Sequence, residues 1–149
     1  MRHTYRLIRT LLAIGIAVFM LGMTEIANAQ TWIELFPAGG PSGAILGRAA
    51  MNFGYAEASN RLIVYFPANP AVSAGLSSEV WILTNANGLG GTPTWIKLTP
   101  SGTPPNNINI GSSTVYDAAN NRLIVYGGCF ANCSPAQSTV YVLSNANGL

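Results

Sequence analysis

Cys129 and Cys133, the only cysteines of the chain, stand with three residues between them. In an exported chain such a pair reads as a disulfide, and two free thiols are the alternative. Closing so small a loop removes little entropy from the unfolded chain, so a bridge here would shape a loop more than hold a domain. A zinc site would need further nitrogen or sulfur ligands. The single histidine, His3, falls in the N-terminal segment that reads as a leader. Its loss would remove the commonest general base and any serine- or cysteine-histidine nucleophile. After residue 30 the carboxylates are Glu34, Glu57, Glu79 and Asp117, scattered along the chain. A glycosidase would need two of them about 5 to 9.5 Å apart across a cleft, and nothing in their spacing argues for that. Glu57 and Asp117 stand in matching hairpin links near Arg61 and Arg122, where weak surface pairing is expected. No catalytic, cofactor-binding or metal-binding residue is assigned, and no cofactor is expected.

Trp32, Trp81 and Trp95 could offer flat faces to a sugar ring, and they could equally be core residues of a repeated unit. The core reading is the stronger. Trp32 and Trp95 begin the matching tetrads Trp-Ile-Glu-Leu and Trp-Ile-Lys-Leu, and Trp81 is matched by Tyr141. The turns Asn85-Ala86-Asn87-Gly88 and Asn145-Ala146-Asn147-Gly148 have no carboxylate beside them to hold calcium. Turn chemistry explains them, because Asn and Gly tolerate a left-handed backbone.

These matches belong to one internal repeat with an offset near sixty residues. Asn60 to Tyr65 recurs letter for letter as Asn121 to Tyr126, and Val80 to Leu89 recurs in pattern as Val140 to Leu149. Every block is a short β-branched, aromatic and aliphatic run bounded by Gly, Pro, Asn or Ser, which is a strand signal. No helical apolar stripe follows residue 29. The first copy predicts strands at 48–56, 61–66, 79–84 and 95–99, and the second at 110–116, 122–127 and 139–144.

The first 29 residues form a separate segment. Arg2, Arg6 and Arg9 precede the uncharged run Leu11 to Met23, and Ala27-Asn28-Ala29 supplies a small-x-small cleavage pattern. Thirteen residues make a helix of roughly 20 Å, short of the ~30 Å a spanning helix must cross. A cleaved signal peptide fits better than an anchor, and it implies a periplasmic or extracellular protein with no membrane attachment after cleavage. From residue 30 onward Arg48, Arg61, Lys97 and Arg122 balance the four carboxylates. A neutral chain without a basic stripe is a poor nucleic-acid binder.

The order of Arg48 in a first strand, Tyr116 before Asp117, an apolar strand ending in Gly127-Gly128, an aromatic third strand and a Trp-x-x-Leu fourth strand resembles the kelch repeat, in its bacterial galactose-oxidase-like variety. The resemblance covers Trp32 to Leu149 and implies an all-β chain of antiparallel four-stranded propeller blades. It divides the chain into a signal peptide at 1–29, a lead-in at 30–43 with a ring-closing strand at 32–35, one blade at 44–99, and a second at 100–149 lacking its fourth strand. The pattern is departed from at Phe66-Pro67, where a diglycine would stand, and at Asn109, where the counterpart of Arg48 would stand. Propellers take roughly 4 to 8 blades. Two blades therefore imply either a truncated chain or self-association through open blade faces. Kelch propellers include enzymes, adhesins and scaffolds, and copper chemistry of the galactose-oxidase kind has no histidine here to carry it. The leading expectation is a non-catalytic scaffold that binds a protein or carbohydrate through its unequal loops, 67–78 and 128–138. The alternative is a fragment of a secreted oxidase or glycan-active enzyme.

Overall fold

The computed structural model describes residues 31–43, 51–68, 77–105, 110–129 and 136–149. The chain divides into two units, Met1–Trp32 and Ile33–Leu149, and every described strand belongs to the second. The predicted signal peptide and Arg48 lie outside the described residues.

The described chain is all-β. Strands β1 (Asn52–Ala56), β2 (Arg61–Phe66), β3 (Glu79–Thr84) and β4 (Trp95–Leu98) form one antiparallel meander in the order β1-β2-β3-β4. Strands β5 (Ile110–Asp117), β6 (Arg122–Cys129) and β7 (Val140–Ser144) form a second, in the order β5-β6-β7. The expected strand bounds at 61–66 and 79–84 agree with β2 and β3, and the others differ by a few residues at an end. The link from β1 to β2 is one 3-10 turn, Glu57–Ser59, closed by Asn60 in the left-handed region at φ 50°. Asn121 does the same at φ 52°. Asparagine is one of the few side-chain-bearing residues that enters this region readily.

Matching strands pair in matching register, Arg61 against Thr84 and Arg122 against Ser144. A period-two strand has two faces. On the first sheet the front carries Ile63, Tyr65, Val80 and Ile82, all 0 to 4% exposed. These residues form a core with Leu123, Val125 and Ala146 of the second sheet, and Tyr116, Tyr141 and Leu143 pack against it. In the repeat, Leu123 and Val125 are the counterparts of Leu62 and Val64, which lie on the other side of the first sheet. The front of the first sheet therefore packs on the back of the second. The same direction would be needed to add another sheet.

The back of the first sheet holds a smaller core of Val64 and Phe66, with Leu62, Trp81 and Trp95 half-buried against it. This face is covered only in part, since Phe53 and Tyr55, beside Val64 and Leu62, stay exposed. Part of the cover is the lead-in, whose Ala38 forms a parallel bridge with Thr94. Gly40, at φ 124°, lies so close to the Trp95 ring that a Cβ there would stand 2.8 Å from Cδ1. Residues 32–35 form no strand, contrary to the ring-closing strand expected there. The lead-in pairs a few residues later, at Ala38, because the Pro- and Gly-rich sequence meets the start of β4 only there.

Candidate functional site

In each repeat a tyrosine, two asparagines and a turn lock the sheet. Tyr55 Oη donates to Asn60 Oδ1 at 3.1 Å, and Tyr116 Oη donates to Asn121 Oδ1 at 3.0 Å. Asn60 Nδ2 donates to Asn87 Oδ1 at 2.7 Å while the Asn87 amide returns a 2.9 Å bond to Asn60 Oδ1. Asn121 and Asn147 repeat this at 2.7 and 3.0 Å. The Asn-Ala-Asn-Gly turns are thus consumed in holding hairpin to turn. The expected turn role, in place of calcium binding, agrees with these contacts.

A charged side chain also bonds across from one repeat to the other. Arg61 Nη1 donates to the carbonyl of Asn147 at 2.8 Å and lies 3.4 Å from that of Gly148. Charge-assisted bonds of this kind are about twice as strong as neutral ones. Arg122, the same residue of the second copy, is exposed, and its guanidinium forms no hydrogen bond to a described residue. The two arginines share a register and differ in setting. Neither forms a close ion pair within the described residues, and of the expected weak surface pairings only an attraction between Arg122 and Asp117 is seen. Asp117 is held by Asn120, whose side chain donates at 2.8 Å. That bond is the main cause that lowers the Asp117 carboxyl below its ordinary value, and Arg122 adds the smallest contribution.

The sheets approach closely at Gly54. A Cβ there would stand 2.8 Å from Tyr116 Cβ and 2.9 Å from Leu123 Cδ1. Beside it Asn52, 3% exposed, accepts from Ser112 Oγ at 3.0 Å and Thr114 Oγ1 at 2.6 Å. Its Nδ2 has no partner among the described residues.

At the end of the sheets where β2 leaves for β3, the seam opens into a cavity of about 360 Å³. Val80, Leu98, Leu123 and Leu143 give it apolar walls, and the chain from Thr99 to Pro105 crosses it. A cluster of hydroxyls stands there. Tyr65 Oη lies 3.1 Å from Ser78 Oγ and also bonds the Pro105 carbonyl, while Ser78 Oγ accepts from the Ala68 amide at 2.9 Å. The size falls at the low end of the range in which small ligands bind. Such a site can hold an amphipathic group by shape and a few hydroxyl contacts. Nothing in its lining from Ser78 to Pro105 marked it in the sequence, because the cavity exists only when the two repeats stack.

The sequence-derived candidates fall elsewhere. Trp32 is fully exposed, while Trp81 and Trp95 join the back-face core. Trp81 Nε1 donates to Glu79 at 2.6 Å, and Lys97 reaches the same carboxylate at 2.7 Å, its Nζ 5.8 Å from the Trp81 ring centre. Glu79 is thereby neutralised within its own sheet. Among the described residues no three His, Cys, Asp or Glu side chains come together. Cys129 is buried and is not a free thiol. Its backbone forms an isolated antiparallel β-bridge with Ala136, and the Gln137 amide donates to the Gly128 carbonyl at 2.8 Å. Cys133 lies between them in sequence and outside the described residues. Most of the unequal loops, at 69–76 and 130–135, also lie outside them.

Among the described residues no helix is long and apolar enough to cross a membrane. Comparison of the chain with protein-family models, curated proteins and solved structures finds no match.

Proposed function

We propose that this chain is an exported, non-catalytic scaffold of kelch-like propeller blades that binds a protein or carbohydrate partner through the loops at one end of its sheets. The observation that carries this reading is the division of labour along the repeat. At the Asn60 and Asn121 end, the polar side chains are spent on the duplicated Tyr-Asn-Asn lock and the Arg61 bond. At the opposite end stand the hydroxyl-bearing cavity and the exits of the two loops that differ most between the copies. Loops on a rigid frame are where binding residues concentrate. The signal peptide supports export, and an oxidising compartment supports a Cys129–Cys133 bridge that pins the second loop. Front-to-back stacking of similar sheets supports the propeller reading.

The test is a loop exchange in the exported protein. Residues 69–76 and 130–135 are replaced together by Gly-Ser segments of equal length, and the variant is compared with the parent on an immobilised glycan panel and on surface proteins of the producing cell. Retained melting behaviour with loss of the parent's binding supports the reading. Undiminished binding by the exchanged chain, or turnover of a glycan or alcohol by the parent, overturns it.

A further inference from the structure

The second sheet exposes two surfaces that are covered on the first. Its front face carries Val115, Tyr126, Val140 and Val142, 51 to 58% exposed, where the counterparts Tyr65 and Val80 are 3% and 4% exposed. Its edge strand β7 has no neighbour on its outer side among the described strands, whereas the matching β3 is paired with Trp95–Leu98 of β4. Arg122 completes the pattern. It begins β6 as Arg61 begins β2, and Arg61 spends its guanidinium on the turn of the sheet stacked in front of it.

One polypeptide covers all three places on the first sheet. Residues 95–98 pair along β3, residues 99–105 cross the end, and β5 to β7 lie on the front with the turn at Asn147 and Gly148 against Arg61. We infer that the front of the second sheet, the free edge of β7 and Arg122 together form a docking site for one further β-sheet repeat of this same type. The occupant is a segment that first adds a Trp-x-x-Leu strand to β7. It then lays down a sheet whose back face carries a Leu-x-Val strand and an aromatic-x-Leu strand. An Asn-x-Asn-Gly turn presents its carbonyls to Arg122. A second copy of this chain is a poorer occupant, because the back of its first sheet already holds the Val64 and Phe66 core and the lead-in.

The seam would not be a replica. Val115 stands where Gly54 allows Tyr116 to approach, so the incoming first strand needs a residue smaller than tyrosine opposite Val115. Asp117 and Ser113 replace Ala56 and Asn52 on the same face, leaving that strand of the seam more polar. The incoming sheet is therefore held chiefly through β6, β7 and Arg122.

The inference shares the repeat reading with the proposed function but is tested without any ligand, so failure of the one is distinguishable from failure of the other. Residues 90–149 are appended after Leu149 of the full chain, with Tyr116 of the appended copy replaced by alanine. Val142→Cys in the original sheet reports burial through its maleimide labelling rate, read by peptide mass spectrometry. The extended chain should label at residue 142 about tenfold or more slowly than the unextended one, since modification then requires local opening. Val140→Asp or Arg122→Ala in the extended chain should restore fast labelling, while Arg122→Ala in the unextended chain should change neither labelling nor melting. Appending residues 90–99 alone, which supply only the edge strand, should leave labelling fast. Unchanged labelling in the chain extended by residues 90–149 overturns the inference, whether the added segment folds or not, and so does slow labelling that survives both substitutions.

Discussion

Ile63 and Ile124 occupy the same place in identical hexapeptides, and the strands around them share one register. Yet Ile63 is fully buried and Ile124 is only half-buried. The adjoining strand shows the contrast more strongly, with Ile82 at 0% and Val142 at 51%. Propensity, pattern and the register of β2 on β3 and of β6 on β7 are alike, so burial is decided by what surrounds them, the sheet in front and, beside β3, strand β4. The energetic value of a residue in this chain thus depends on its position in the stack, and the same letter is structural in one copy and idle in the other.

The sharpest way to break this comparison is to shorten both members of a pair. Ile82→Ala should destabilise by ~2–5 kcal/mol, the usual cost of a large buried side chain together with its cavity. Val142→Ala should stay within about 0.5 kcal/mol, as an exposed substitution does. Denaturant melts of both variants decide it, and equal losses would show that the exposed face is covered in solution.

A smaller effect is expected where the sheets touch. Gly54→Ala places a methyl against Tyr116 and Leu123, which are too close to admit it. Overpacking of this kind costs about 1–3 kcal/mol. Val115→Ala, at the matching position, should be near neutral. If Gly54→Ala melts like the parent, the close approach does not hold the seam.

The smallest effect concerns acid. Asp117 is lowered by its bonds to Asn120, so its contribution is present above the ordinary value of 3.8 and is lost as pH falls through the lowered folded value. The group is half-exposed at the surface, and the effect should be slight. Asp117→Asn should flatten the acid limb of the stability profile without moving the neutral plateau, and an unchanged acid limb would rule this out. The first copy has Ala56 in this register and should show no such limb.

Much of the frame was legible in the sequence. Arg61 to Tyr65 and Glu79 to Thr84 are β-rich runs bounded by turn residues, and local chemistry suffices to mark them. The repeat also marked the two asparagine hairpins, because Asn60 and Asn121 must each adopt a positive φ. What could not be read was which face of each sheet meets the other. An alternating strand is apolar on both faces here, and identical hexapeptides cannot encode a front and a back. Gly54 and Arg61 therefore looked ordinary, although one sets the sheet separation and the other bridges the repeats. Residues 32–35 misled for the opposite reason. Their match to 95–98 promised a strand, but a strand needs a partner edge, and the lead-in finds one only at Ala38. The cavity was invisible because its walls bring together residues as far apart in the chain as Tyr65 and Pro105, forty positions, or further.

The bond from Arg61 to the turn of the following repeat has a genealogical consequence. Its donor sits at the start of one unit's second strand, and its acceptors sit at the turn after the third strand of the next. A single ancestral unit would carry both halves and be able to use neither on itself. Tandem duplication would bring them into register at once, with no new residue required. Each later duplication would add one bond and renew one unused donor. A gene of this design can lengthen by copying alone, and the sequence around Arg61 and Arg122 would stay alike because every copy inherits both halves of the join.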